Sequence, residues 1–415
     1  MPGAASLNAK LMNSDLSLVA TTYAGLEDLL VEELQVLGAI DISKGRRMVS
    51  FRGDKKLLYN VNYLSRFTLR LLWQVDAFSI KDQNDYYSRI RAIDWEQYLS
   101  PQSTLAIQAV TSGEILPHSR FAAQRAKDAI VDHFREKTGQ RPSVDLERPD
   151  IRINVHLRND QCHISLDSSG EPLHKRGWRA EMGIAPLSEI LAAALVKLSG
   201  WKGEGEFLDP MCGSGTIAIE AAMQALQIPA GKYRRFYGFL KWNDFDRDLW
   251  QSIKEEADQR ILPERDLLIR ASDASWRAIE AARKNLEKAH LTQLIQLEKK
   301  PFQAVYPRKP QGVIITNPPY DERIKSKNNT ELYQAFGDVL KQRYQDHSAW
   351  VFSGDLNALK RLGLKPSERH ILFNGPIECR YVRYDLFLGS QEKVGETGHP
   401  GAQREKRSRE EGKEH

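Results

Sequence analysis

The sequence predicts an α/β protein. A mainly parallel, doubly wound sheet occupies residues 187–390, and an α+β region precedes it. Three observations carry this. From Pro186 onward, short apolar strands alternate with helices. The first of these strands runs into a glycine-rich turn that opens a helix, "EFLDPMCGSGTIAIEAAMQAL". Ahead of Pro186 the pattern is different, with alternating strands, a hairpin and amphipathic helices but no such turn.

Composition narrows the class. The chain has 415 residues, 41% hydrophobic and 28% charged, which fits a globular protein of two or three domains. No apolar run approaches the roughly 20 residues that span a bilayer, and "MPGAASLNAKLMNSD" lacks the apolar core of a signal peptide. Residues 1–17 read as a flexible N-terminus. Cys162, Cys212 and Cys379 are scattered, which argues for a reduced, cytoplasmic setting. His163 and His174 show no metal spacing, so no metal site is expected. The net charge of +5 permits nucleic-acid binding without requiring it, so contacts must come from local patches. Oligomeric state is not encoded in any recognisable pattern.

In chain order, "LVATTY" reads as a strand. "GLEDLLVEELQVLG" places Leu26, Leu29, Leu30, Leu34 and Leu37 on one helical face. "RRMVSFRG" alternates like an edge or hairpin strand. "DKKLLYNVNYLSRFTLRLLWQV" is a helix feeding a strand, which closes a small α+β unit over 18–75. A second unit over 76–167 holds the strand "STLAIQAVTS", a helix with Phe121, Ala122, Ala129, Ile130 and Phe134 on its apolar face, and a hairpin turning at Arg158-Asn159-Asp160. Residues 168–186, rich in Gly, Pro and charge, form an interdomain connection. "SEILAAALVKLSG" is a helix with Ser188 as its expected N-cap. Residues 391–415 carry almost no apolar side chains and read as a disordered tail.

The first chemical signal is "LDPMCGSGTIAIEAA". Asp209 ends a strand, and Met211, Cys212, Gly213, Ser214 and Gly215 form the turn. Glycines there tolerate positive φ and let a ligand approach the backbone. A plain strand-to-helix turn would need the same small residues. The spacing is shorter than the dinucleotide fingerprint, and no Lys-Ser/Thr follows as in a P-loop. It suits a cofactor with a nucleoside end and an amino-acid end but no pyrophosphate, such as S-adenosylmethionine. The next strand, "LLIRASDAS", ends at Asp273, where a carboxylate would meet both ribose hydroxyls. Ser275 stands ready as the cap of the following helix.

The second signal is "TNPPY". It follows the apolar strand "GVIIT" at the ligand-facing edge of the sheet. Pro318 and Pro319 fix φ and remove two N–H donors. The Asn317 side-chain carbonyl and the Pro318 main-chain carbonyl are then placed to accept from a planar –NH2 group, and Tyr320 to stack on the ring that carries it. Catalysis would be positioning and charge complementarity.

Together, "DPMCGSG", "SDASWRAIEAARKN" and "TNPPY" resemble class I S-adenosylmethionine-dependent methyltransferases acting on exocyclic amines. "RPSVDLERPDIRINVHLRND" and "LHKRGWR…APLSEILAAAL" are similar to the bacterial THUMP-containing guanine-N2 methyltransferases of 23S rRNA, in the form with a single methyltransferase domain. The resemblance covers about 18–390 and implies a Rossmann-like methyltransferase domain over 187–390. It also implies a ferredoxin-like unit over 18–75, a THUMP RNA-binding domain over 76–167, structured RNA as partner and no membrane. It implies catalytic roles for Asn317, Pro318, Pro319 and Tyr320, and cofactor contacts from Asp209, Met211–Gly215, Asp273 and Asn317. The chain departs from that family at Asp321, where Gly usually follows the motif, and at Ser275 and Pro301, where acids usually stand. Asn-Pro-Pro-Tyr also serves adenine-N6 methyltransferases, so an adenine in RNA or DNA is the alternative target. An RNA-binding assembly factor without catalysis is the alternative of another class.

The cations Arg120, Arg125 and Lys127 on a helix, and Lys175, Arg176 and Arg179 in "HKRGWR", are the candidate phosphate contacts. The aromatic-basic stretch "GKYRRFYGFLKW" reads better as packing than as an RNA platform.

Overall fold

The computed structural model describes residues 15–180, 187–263, 267–319 and 327–387, without the side chains of 327 and 328. The first part contains β1 (Leu16–Thr21), α1 (Glu27–Val36), β2 (Ile40–Gly45), β3 (Met48–Gly53), α2 (Lys55–Leu64) and β4 (Arg70–Ser79). Then come α3 (Gln83–Ala92), β5 (Thr104–Ser112), α4 (Ser119–Thr138), β6 (Ser143–Val144), β7 (Ile151–Arg158) and β8 (Gln161–Asp167). All eight strands form one sheet in the order β2-β3-β1-β4-β8-β7-β5-β6.

β4 joins the two halves of that sheet. Its first residues pair with β1, and the strand runs on past residue 75 to pair with β8 as far as Ser79. The β7–β8 hairpin turns at Asn159, whose φ of 56° is the left-handed conformation that Asn tolerates. On α4, Ala122, Ala129, Ile130 and Phe134 are buried. Phe121 is not: it is 45% exposed, and Ala126 and Val131 take its place on the packed face. One residue before Ala122 is about 100° around the helix, enough to leave a 20-residue helix's contact stripe.

The second part contains α5 (Glu189–Ser199), β9 (Glu206–Asp209), α6 (Thr216–Ala225), α7 (Arg247–Asp258), β10 (Leu268–Asp273), α8 (Trp276–Lys288) and β11 (Ile295–Lys299). β12 (Gly312–Thr316), α9 (Lys327–Arg343), β13 (His347–Ser353), α10 (Leu356–Lys360), β14 (Glu368–Asn374) and β15 (Ile377–Leu386) complete it. The strand order is β11-β10-β9-β12-β13-β15-β14. The first five of these run parallel, and β15 is antiparallel to both its neighbours. Order reverses between β9 and β12, the switch point at whose C-terminal strand ends sheets of this kind hold ligands in a crevice. β12 is apolar throughout because both faces are covered. Val313 and Ile315 join the core that contains α5 and α6, whereas Ile314 joins the core built with Tyr333, Phe336 and Leu340 of α9.

The two parts pack as one body. α2 lies against α7, with Tyr59 4.5 Å from the Phe239 ring centroid and Tyr63 5.4 Å from that of Trp250. Tyr237, Phe239 and Trp242 of the aromatic-basic stretch are buried there. Lys55 pairs with Asp244 at 2.7 Å and Lys56 with Glu256 at 3.4 Å. The connection after β8 is buried too. Asp167, Ser168 and Ser169 are inaccessible, Asn62 exchanges hydrogen bonds with both serines, and the Arg234 guanidinium donates to the carbonyls of Ser169, Glu171, Pro172 and Lys175.

Candidate active site

Three adjacent strand ends build the site. β9 lies between β10 and β12, with Asp209 level with Ala271 and Leu208 level with Ile314. The turn after β9 therefore meets the chain leaving β10 on one side and β12 on the other. The Cys212 N–H donates to the Ser272 carbonyl at 2.9 Å. The Gly213 N–H donates to Asp273 Oδ2 at 3.0 Å, and the Ser275 N–H to Asp273 Oδ1 at 2.8 Å. Gly213 has φ +53°, and a side chain there would enter space that no described atom occupies within 4 Å. Gly215 precedes α6, so the turn delivers the N-terminal end of that helix to the crevice.

Asp209 is fully buried, and burial pushes its carboxyl up to about 8, with the Asp273 charge adding to the rise. Its Oδ1 receives a long 3.4 Å contact from the Met211 N–H, and the Thr316 hydroxyl stands against the same carboxyl and moderates the rise. The neighbouring Asn317 Oδ1 is buried and has no partner among the described residues. A buried amide oxygen without a partner, close to a buried carboxyl, is unusual in a protein interior and leaves acceptor capacity that a ligand's donors could use. Pro318 is buried and Pro319 exposed. Tyr320 and Asp321 lie outside the described residues.

The other expectations fall differently. Ser275 does cap α8, accepting from the Ala278 N–H at 3.3 Å. Ser188 sits at the N-cap of α5, but its buried hydroxyl makes no cap bond. Arg120 is exposed. Arg125 lies 4.2 Å over the Tyr87 ring, and Lys127 pairs with Asp128 at 2.6 Å. Lys175 is exposed and pairs with Glu171 at 2.7 Å.

Arg176 and Arg179 correct the reading of "HKRGWR" as a row of phosphate contacts. Arg176 is 1% exposed. It pairs with the buried Glu220 of α6 at 3.4 Å and donates to the carbonyls of Ser65, Arg66 and Leu173. Arg179 pairs with Glu189 at 2.7 Å and reaches the Ser214 and Thr216 hydroxyls. A guanidinium with most of its donors spent on buried acceptors serves the interior rather than a phosphate at the surface.

Sequence inspection also missed Thr316 and Asn285. Asn285, inaccessible on α8, accepts from the Ala180 N–H at 2.7 Å and donates to the Ser214 carbonyl at 3.0 Å. The only signal was an amide on the otherwise apolar face of that helix. Among the described residues, no three His, Cys, Asp or Glu side chains gather as a metal site, and no helix is long and apolar enough to cross a membrane.

Comparison with known proteins adds three matched regions. Residues 176–383 match the RMKL-like methyltransferase domain, 81–167 the THUMP domain and 17–72 the RlmL ferredoxin-like domain. A Synechocystis protein named as a candidate RNA methyltransferase is 41% identical, over 89% of this chain and 96% of its own. The ribosomal RNA large subunit methyltransferases K/L of Syntrophotalea carbinolica and Methylococcus capsulatus are each 39% identical, over 90% and 88% of this chain. The chain spans about half of their length, 54% and 51%. Among solved structures, a candidate methyltransferase, SMU.472, complexed with SAH superposes with a TM-score of 0.82 at 28% identity, covering 90% of this chain and 99% of its own. A protein of Listeria monocytogenes named as a predicted N6-adenine-specific DNA methylase gives 0.82 at 27% identity, covering 92% and 99%.

Proposed function

Because the chain belongs to the RMKL-like methyltransferase family and carries a THUMP domain ahead of the methyltransferase domain, we propose that it methylates the exocyclic N2 amine of a guanine in structured RNA, in the 23S rRNA, using S-adenosylmethionine. The observation that carries this reading is the buried Asn317 Oδ1, which has no partner among the described residues at the switch point of the second sheet.

The residues present fit such a cofactor. Asp273 holds the glycine turn and retains acceptor capacity for ribose hydroxyls. Gly213 leaves room for close approach. When bound, S-adenosylmethionine supplies an electrophilic methyl group. Asn317 Oδ1 and the Pro318 carbonyl accept the two N–H bonds of the target amine, turning its nitrogen toward that methyl group. Holding the amine this way would let its nitrogen take the methyl group as S-adenosylhomocysteine leaves, with one N–H proton passing to solvent, and without a covalent nucleophile. A paired guanine would have to leave its helix to reach the crevice, and Tyr320 is placed by sequence to stack on it.

The test uses rRNA from a strain lacking the protein, the purified full-length chain and methyl-labelled cofactor, followed by digestion to nucleosides. Label in N2-methylguanosine is expected. Label in N6-methyladenosine would replace the guanine assignment with adenine.

A further inference from the structure

We infer that Arg179, on the connection between the two parts, is a positioning residue for the glycine turn. This rests on the reading of that turn as the cofactor site. Two successive residues of the connection hold Ser214, the middle residue of the turn. The Arg179 guanidinium donates to the Ser214 Oγ at 3.3 Å and to the Thr216 Oγ1 at 3.1 Å. The Ala180 N–H donates to Asn285, which in turn donates to the Ser214 carbonyl. Ser214 is thus gripped at its side chain and at its backbone.

The grip is itself anchored. Two further Arg179 donors go to the buried Glu189 and to the Leu187 carbonyl, and the guanidinium carbon lies 5.2 Å from the Trp178 ring centroid. Three residues earlier, Arg176 ties the same connection to Glu220 on α6 and to the Ser65 and Arg66 carbonyls after α2. Gly177 lets the chain pass between the two arginines. Its φ is +94°, and a Cβ there would lie 2.2 Å from the Tyr233 carbonyl oxygen. The connection therefore runs from the first part of the protein to the cofactor turn, with a fixed contact at each end. A turn whose donors must meet a ligand at set positions gains affinity when its side chains are held beforehand.

The test separates positioning from simple stability. Arg179→Met alone would leave Glu189 as an unpaired buried carboxylate, so the informative variant is Arg179→Met/Glu189→Gln. Arg179→Lys is the second variant. It keeps a cation beside Glu189, but a single ammonium lacks the planar fork that serves Glu189 and both hydroxyls together. S-adenosylmethionine is titrated calorimetrically into the wild type and both variants, with thermal midpoints and steady-state kinetics on the same preparations. The expected result is a rise in cofactor Kd and KM of about tenfold in the double variant, a smaller rise in Arg179→Lys, and kcat largely retained. Unchanged cofactor Kd in folded variants would overturn the inference while leaving the cofactor site standing. A wild-type chain that binds no cofactor would overturn the functional reading and this inference with it.

Discussion

The Gly213 main-chain N–H donates to the Asp273 carboxylate at 3.0 Å. The turn after β9 and the acid that ends β10 hold each other in the folded chain, so the backbone of the glycine turn is set by a side chain 60 residues away. Asp273→Ala removes that acceptor together with the one used by Ser275. Bonds to charged groups contribute about 1.5–3 kcal/mol each. Cofactor Kd in Asp273→Ala is therefore expected to rise by about tenfold or more, with Asp273→Asn intermediate. Equal affinity in all three proteins, measured by calorimetry, would remove Asp273 from the site.

Asn317 should act on turnover and hardly on cofactor affinity. Its buried oxygen, without a partner among the described residues, is the proposed acceptor for the target amine. Asn317→Ala is expected to lower kcat by on the order of 10²-fold, in the range of a lost positioned polar group. Near-wild-type turnover on rRNA would sink the proposed amine contact.

Asp209 gives the structure a pH signature. Its ordinary value of 3.8 is pushed up to about 8 by burial. Between those values the folded chain keeps a proton that the unfolded chain has released. Stability from this group is thus fully present below the unfolded value and is lost as pH rises through the folded one. Asp209→Asn keeps the group neutral at all pH. The midpoint difference, variant minus wild type, is expected to grow from pH 5 to 8 and then level off. Buried Glu33, Asp167 and Glu220, also shifted up, cancel in this comparison. A difference that stays flat across the range would show that Asp209 is ionised throughout.

Arg176→Met tests whether "HKRGWR" is core or RNA surface. Breaking a buried ion pair costs about 3–5 kcal/mol, so the variant should lose thermal stability strongly. Loss of RNA affinity with a shallower salt dependence, at unchanged stability, would instead mark Arg176 as a phosphate contact.

That result bears on truncation. The amino-acid pattern alone suggests that a chain beginning near Ser169 would fold and bind cofactor, leaving RNA delivery to the part removed. The structure argues otherwise. Such a chain would lose the Ser65 and Arg66 carbonyls that Arg176 needs and would bare the aromatic face formed by Phe239 and Trp250. It is expected to lack native near-ultraviolet circular dichroism, whereas a folded, cofactor-binding product would show that the contact with the first part is dispensable.

The glycine turn and the strand stop of the proposed site were legible because their signals are local. Strand, turn and helix follow one another within a few residues at Gly213 and Gly215, and two prolines stop a strand at Asn317 wherever that strand lies. The doubly wound sheet was legible for the same reason, since each strand carries its own apolar run. The inward direction of Arg176 and Arg179 was not, because a basic loop and a buried one look alike until Glu220 and Ser65, 44 and 111 residues distant, are brought beside them. Nor was the junction at β4 visible. A ten-residue strand that pairs with β1 at one end and β8 at the other reads, residue by residue, as the edge of one unit.

Calorimetric titration of S-adenosylmethionine into the full-length chain tests the central claim, that the ends of β9, β10 and β12 form a cofactor site. The expected result is saturable binding at one site per chain, weakened in Asp273→Ala and in Arg179→Met/Glu189→Gln. Binding that stays undetectable at millimolar cofactor would contradict it, and would favour an RNA-binding assembly factor over a methyltransferase.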